Sequence, residues 1–181
     1  MARDLPDFRP VKPFLTSSLE GLRQACLALA ILATLALFGV VAFNIVGRTV
    51  FDATEGAVNF MVSGAIELSQ YALMVSIFAA IPAMLGTGLI RVDILSRIFP
   101  HWLANGLDRL WLAVIAAFAA ILTMSFFELF LTALERGDQT QDLRLPLWPF
   151  YGLAALECAA LALLATGAVL GLVAPPQQDD A

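Results

Sequence analysis

The sequence predicts an all-α integral membrane protein with four transmembrane helices, and its composition and its long charge-free runs support that prediction. Hydrophobic residues make up 60% of the 181-residue chain, and charged residues make up only 14%. A soluble domain normally carries charge on about a quarter of its residues. A run of about 20 apolar residues can cross a bilayer as a helix. The length is that of one domain, so we expect residues 1–181 to form a single four-helix membrane domain.

The first three predicted spans are each built on a run that lacks Asp, Glu, Lys and Arg, and the fourth is built on an apolar run that contains Glu157. The four spans lie at about 23–50, 65–89, 104–133 and 147–173. Pro82 falls inside the second span. A proline at such a position should kink the helix or leave carbonyl groups for a neighbour to satisfy.

The segment between the first two spans has an intermediate character. Asp52 and Glu55 make it too polar to continue a span, whereas its apolar residues make it unlike a free loop. We predict a short helix near 53–62 that lies at the membrane surface. The alternative is that this segment lengthens the second span, although the Ser63–Gly64 pair favours a break.

The distribution of basic residues predicts that both termini lie in the cytoplasm. Seven Lys or Arg residues belong to the N-terminal segment and the second connection, and three belong to the first and third connections. Cytoplasmic segments of membrane proteins carry the excess of basic residues. Trp102 and Trp148 fall at opposite predicted interfaces, where indole rings are favoured. The seven are Arg3, Arg9, Lys12, Arg23, Arg91, Arg97 and Arg109, and the three are Arg48, Arg136 and Arg144.

Polar residues cluster where the first two spans meet the predicted outer surface. Asn44 and Arg48 lie one turn apart near the end of the first span. Glu67 and Tyr71 lie one turn apart at the start of the second span, so they share a helix face. We predict a salt bridge between Arg48 and Glu67, with lipid headgroups as the alternative partner of each side chain.

Glu157 is the one carboxylate that falls deep inside a predicted span. It lies about ten residues, or ~15 Å of helix rise, into the fourth span, where a charge is costly to solvate. One interpretation is a role in proton or ion coupling. The favoured interpretations are a carboxylate held by a polar group of a partner subunit, or a protonated carboxyl group, because a lone carboxylate makes no relay.

The chain offers no residue set that is typical of catalysis or of metal binding. Cys26 and Cys158 both lie inside apolar runs, which favours buried packing residues over a disulfide or metal ligands. His101 is the only histidine and is interpreted as an interfacial loop residue. We therefore expect no catalytic residue, no cofactor or metal ion, and no nucleic-acid partner.

A series of short motifs follows the order of the predicted helices. They are Asn44, Arg48 and Phe51 at the end of the first helix; Glu67, Leu68 and Tyr71 at the start of the second; Gly88, Val92 and Asp93 at its end, around Arg91; and Pro146 and Trp148 before the fourth. In this order they resemble the small membrane subunit, of the DctQ type, of the tripartite ATP-independent periplasmic (TRAP) transporters. The resemblance covers nearly the whole chain. Leu89 stands where that family usually has His, and the connection between Phe51 and Glu67 is longer than usual.

The resemblance implies a subunit of a sodium-driven secondary transporter in a bacterial inner membrane. In that family a large membrane subunit carries the substrate and sodium sites and moves them in an elevator-like manner. A soluble periplasmic protein delivers an organic anion, typically a carboxylate, and the small subunit braces the large one within the lipid. No substrate site is then expected here. The candidate structural or interface residues are Asn44, Arg48, Glu67, Tyr71, Arg91, Asp93, Trp148 and Glu157.

Two other classes remain open on the residues alone. A four-helix redox subunit would need haem or quinone ligands, which a single histidine and two cysteines in apolar runs do not favour. A self-contained channel or small exporter would need a polar lining along its spans, and the sequence has few polar residues there.

Overall fold

The computed structural model of the protein describes residues 13–57, 60, 64–85 and 101–172. Within these ranges the chain folds into four helices: α1 (Pro13–Ala53), α2 (Ala65–Ala83), α3 (His101–Arg136) and α4 (Trp148–Val169). Each contains a stretch that is long and apolar enough to cross a membrane. The predicted fold class, an all-α protein with four transmembrane helices, is therefore confirmed.

Several helix ends differ from the predicted ones. α1 begins at Pro13, ten residues before the predicted start, since a proline is tolerated in a first helical turn. α2 ends at Ala83, and Met84 and Leu85 form a turn, whereas the predicted span continued to 89. Residues 86–90 lie outside the described ranges.

Two glycines in the left-handed conformation end α3 and α4. Gly137 has a φ of 67°, and its N–H donates to the carbonyl of Ala133 at 3.0 Å. Gly171 has a φ of 69°, and the N–H of Leu172 donates to Gly167 at 2.9 Å. Glycine adopts this conformation without steric cost, so it closes the helix and satisfies the last carbonyl groups.

The surface helix predicted near 53–62 is not found in the described part of that segment. α1 runs to Ala53, and residues 54–56 then form a turn in which Glu55 and Gly56 have φ values of 53° and 85°. Positive φ at successive residues cannot continue a right-handed helix. Phe60 lies outside any helix, and residues 58, 59 and 61–63 are outside the described ranges.

The helices pack as two pairs that meet through α4. α1 packs along α2, and α3 packs along α4. α4 also contacts α2 and, less extensively, α1. Along the described residues, the backbones of α2 and α3 do not approach each other, although the rings of Phe78 and Phe126 meet edge to face with centroids 5.2 Å apart. A lateral groove therefore remains between α2 and α3.

Small residues form most of the helix contacts. On α1 the buried small residues are Cys26, Ala30 and Ala33. Cys26 packs against Ala83 of α2 and Ala160 of α4. The hydroxyl groups of Thr34 and Ser76 add a hydrogen bond of 2.6 Å between α1 and α2. Small side chains and interhelical hydrogen bonds are what hold helices together in lipid, where burial of apolar surface gives little advantage.

The core lies towards the C-terminal end of α2. Leu85, in the turn after α2, forms one buried cluster with residues of α3 and α4, and a neighbouring cluster joins α1 to α2 and α4. Cys26 and Cys158 are both buried and free, which confirms their assignment as packing residues. The first cluster is Leu85, Ala119, Leu161, Leu164 and Ala165, and the second is Cys26, Ala83 and Ala160.

Candidate functional site

The connection between α3 and α4 is a structured loop held by its own hydrogen bonds. The N–H of Thr140 donates to the carbonyl of Leu145 at 2.9 Å, and the N–H of Leu145 donates back to the Thr140 hydroxyl at 3.0 Å. The N–H of Leu147 donates to the carbonyl of Asp138 at 3.0 Å. Thr140 is buried, so the loop has an interior of its own.

Glu67, in the first turn of α2, binds this loop through its carboxylate. The N–H of Asp142 donates to Oε1 at 2.9 Å, and the N–H of Leu143 donates to Oε2 at 3.2 Å. Hydrogen bonds to a charged acceptor are the stronger ones. A carboxylate in a first helical turn is also favoured by the helix dipole.

The predicted salt bridge between Arg48 and Glu67 is therefore wrong. Both residues lie in described ranges, and no ion pair joins them; in those ranges the ion pair that forms is Arg23 with Glu20. Arg48 is exposed on α1, which continues past it to Ala53. Two backbone N–H groups of the α3–α4 loop occupy the Glu67 carboxylate instead.

Gly64 lets the loop approach the start of α2 closely. It has a φ of 77°, and a Cβ atom at this position would lie 2.5 Å from Cγ of Leu143. A side chain here would meet both backbone strain and a steric clash. The Leu143 side chain thus covers the backbone of Gly64 while its N–H binds Glu67.

Aromatic contacts extend this junction by one turn into the helices. The ring of Tyr71 stacks on that of Phe150 of α4, with centroids 4.2 Å apart and planes inclined by 21°. Trp148 packs edge to face on Phe130 of α3 at 6.2 Å. We call the set that joins α2 to the loop and to α4 the loop clamp; it consists of Gly64, Glu67, Tyr71, Asp142, Leu143 and Phe150.

A second polar contact fixes the opposite end of α2. The Arg23 side chain of α1 donates from Nε to the carbonyl of Ala83 at 3.1 Å and from Nη1 to Oε2 of Glu20 at 3.3 Å. A guanidinium at a helix C-terminus satisfies a free carbonyl group and complements the dipole. The Ala83 carbonyl is free because α2 ends there. The carbonyl that Pro82 leaves without a helical donor is that of Phe78, four residues earlier, so the expectation for Pro82 stays a prediction. We call Glu20, Arg23 and Ala83 the α2 cap.

Glu157 of α4 lies on the floor of the groove between α2 and α3. Its side chain is only 3% exposed, and neither Oε1 nor Oε2 has a hydrogen-bond partner in the described structure. The groove has a volume of about 650 Å³ and apolar walls, such as Ile81 on α2 and Phe118 on α3. A buried carboxyl group without a partner is costly, so this position demands an explanation beyond the fold.

Of the four remaining predicted residues, Asn44 and Trp148 lie in the described ranges. Asn44 is half-buried on α1, and Trp148 is 40% exposed at the start of α4. Arg91 and Asp93 lie outside the described ranges. In the part of the chain that the structure describes, no three His, Cys, Asp or Glu side chains come together in a group that could hold a metal ion.

The sequence did not reveal the α2 cap or the contact between Gly64 and Leu143. For Glu67 it indicated a polar contact but not the groups that donate to it. Glu20 and Arg23 have the spacing of a helical ion pair, but only Arg23 entered the sequence analysis, in the count of basic residues. Gly64 was interpreted as a helix break and not as a contact surface. The contact of Glu67 with the backbone N–H groups of Asp142 and Leu143 could not be predicted from the side chains of those residues.

A family profile matches the chain over a range that includes the loop clamp and the groove. It is DctQ, described as "Tripartite ATP-independent periplasmic transporters, DctQ component", and it matches residues 37–174. Comparison with curated proteins and with solved structures found no match. The profile covers well over half of the chain and agrees with the four membrane-spanning helices. The chain therefore belongs to the DctQ family and is an inner-membrane transporter component, not an enzyme.

Proposed function

We propose that this chain is the small scaffold subunit of a sodium-driven transporter that takes up an organic anion of the carboxylate class. A large membrane subunit and a periplasmic substrate-binding protein complete the transporter. The substrate and the sodium ions bind to the other chains, and the small subunit braces the large one in the membrane. Substrate specificity then lies outside this chain.

The observation that carries this proposal is the DctQ match over residues 37–174 on a chain whose polar groups suit bracing better than transport. Secondary transporters build their sites near the midplane, where interrupted helices of repeated units converge. In the described residues, Thr34 and Ser76 bind each other between α1 and α2. Glu67 and Arg23 fix the two ends of α2.

Uptake measurements with defined subunits test the proposal. Proteoliposomes that contain the large subunit and this chain, supplied with the binding protein and an inward sodium gradient, should accumulate the anion. Omission of this chain should abolish uptake, and so should omission of the large subunit. Uptake by this chain alone, or full uptake by the other two proteins without it, would contradict the proposal.

A further inference from the structure

Glu157 occupies a depth at which water and lipid headgroups cannot reach its carboxyl group. It lies about 14 Å of helix rise from Trp148 and about 18 Å from Val169, the two ends of α4. Its oxygens are buried and lack hydrogen-bond partners in the described structure. A polar group at this depth normally turns towards another polar group.

The groove above Glu157 has the dimensions and the surface of a helix-binding site. Its α3 wall extends from Trp111 to Leu122, which is about 16 Å or three helical turns. The side chains that rise from its two walls are large, apolar and exposed: Ile81 is 46% exposed and Phe118 is 60% exposed. Among the described residues, the α2 and α3 backbones stay apart along the groove.

We propose that this groove receives a transmembrane helix of the large membrane subunit, which brings an N–H or O–H donor side chain to Glu157. The inference rests on the proposed function, because that function supplies a large membrane subunit as the partner. It adds which face of this chain makes the contact and what chemistry the contact requires. The donor side chain must lie near the middle of the partner helix, since Glu157 lies near the middle of α4.

Two other occupants fit the groove less well. A lipid acyl chain would fill the apolar walls but would leave both oxygens of Glu157 without a donor. A second copy of this chain could present the outer part of α3, where the hydroxyl groups of Thr123 and Ser125 already donate to carbonyl groups of their own helix. A helix of a different subunit can satisfy both the apolar walls and the carboxyl group.

Substitutions of Glu157 should have opposite effects on the isolated chain and on the complex. Glu157→Leu should raise the thermal stability of the isolated chain in detergent, because it removes a buried group without a partner. The same substitution should raise the dissociation constant for the large subunit by about three- to tenfold, which is the effect of losing one interhelical hydrogen bond in a membrane, and should lower its copurification accordingly. Glu157→Gln keeps an acceptor oxygen and should copurify at nearly the wild-type level.

Leu156→Ala is the matched control. It alters the neighbouring residue of α4, which is 69% exposed and does not line the groove. Copurification should change little. If Glu157→Leu copurifies as well as Leu156→Ala does, no partner group binds the carboxyl group and the inference is overturned.

Site-specific photocrosslinking identifies the occupant directly. A benzoylphenylalanine residue replaces Phe118 in the groove or, as a control, Leu32 on the outer face of α1, where the side chain is 64% exposed. The membrane complex of full-length subunits should give a strong crosslink to the large subunit from position 118. Crosslinks from position 118 only to lipid, to a second copy, or to residues of the same chain would overturn the inference.

The outcomes separate this inference from the proposed function. A wild-type chain that does not copurify with the large subunit would contradict the proposed function and the inference with it. Wild-type copurification with crosslinks from position 32 but none from position 118 would overturn the inference alone. Copurification with a position 118 crosslink that Glu157→Leu weakens would support both.

Discussion

α1 and α4 are both apolar membrane-spanning helices, yet their environments differ sharply. In the most apolar stretch of α1, 11% of the residues are buried within the protein, whereas half of those in α4 are. α4 places small residues such as Ala154 and Ala165 against its neighbours. α1 exposes bulky side chains, among them Leu32 and Phe38. In a membrane, side-chain size distinguishes a protein-facing helix surface from an exposed one better than hydropathy does.

The largest expected effect comes from enlarging a small residue on α4. Ala154 is completely buried, and Ala154→Leu should lower the free energy of unfolding by about 3 kcal/mol because an overpacked core must shift. Thermal unfolding in detergent measures the change. The matched substitution Leu32→Ala on α1 should change the unfolding temperature of the isolated chain very little. Similar losses of stability for both variants would show that the surfaces of α1 and α4 do not differ in packing as described.

A smaller loss is expected at the α2 cap. Arg23→Leu removes the donor to the Ala83 carbonyl and should lower the free energy of unfolding by about 1 kcal/mol. Arg23→Lys keeps a cation near the helix end and should recover part of the loss. The same thermal assay measures both variants. Equal stability of Arg23→Leu and the wild-type chain would show that the contact contributes nothing.

A local effect is expected at the loop clamp. Glu67→Gln weakens the acceptor of two N–H groups, so hydrogen exchange at Asp142 and Leu143 should become faster while exchange in α4 stays unchanged. Mass spectrometry of the isolated chain measures this exchange. Arg48→Gln is the control and should add its effect on thermal stability to that of Glu67→Gln. If the effects of the two substitutions on thermal stability were far from additive, Arg48 and Glu67 would interact after all, contrary to the structure.

The last prediction, with no expected effect on stability, concerns orientation. The excess of basic residues near the termini predicts that the α3–α4 loop lies outside and that position 96 lies inside the cell. Single cysteines at Asp138 and at Ser96, in a chain without Cys26 and Cys158, report this with an impermeant thiol reagent. Intact cells should label position 138 only. Labelling of position 96 and not of 138 would reverse the orientation.

The number of helices and their approximate positions could be predicted from the sequence because a charge-free run of sufficient length leaves little choice in a membrane. The arrangement of the helices could not be predicted in the same way. α4 is at the centre because its small residues permit close contact with the three other helices. A hydropathy pattern that is apolar on every face does not reveal this. The depth of Glu157 was visible in the sequence, whereas the open groove above it was not.

The prediction for Glu67 shows a different limit. Arg48 and Glu67 have opposite charges near the adjoining ends of two successive helices, which is the signal on which a salt bridge is usually predicted. The actual donors are backbone N–H groups about 75 residues further along the chain. Backbone N–H groups have the same chemistry in every residue, so the sequence does not reveal which of them point at Glu67. Only the folded loop, in which Thr140 is buried, shows their direction.

The two helix pairs are tied together at both ends of α2, and this has a mechanical consequence. At one end the loop clamp attaches α2 to the α3–α4 loop. About 28 Å away, at the other end, Leu85 packs in a cluster with Leu161 and Leu164 of α4. A force that slides one pair along the other must break both attachments at once. The bundle should therefore resist shear, even though a groove lies between α3 and the C-terminal half of α2.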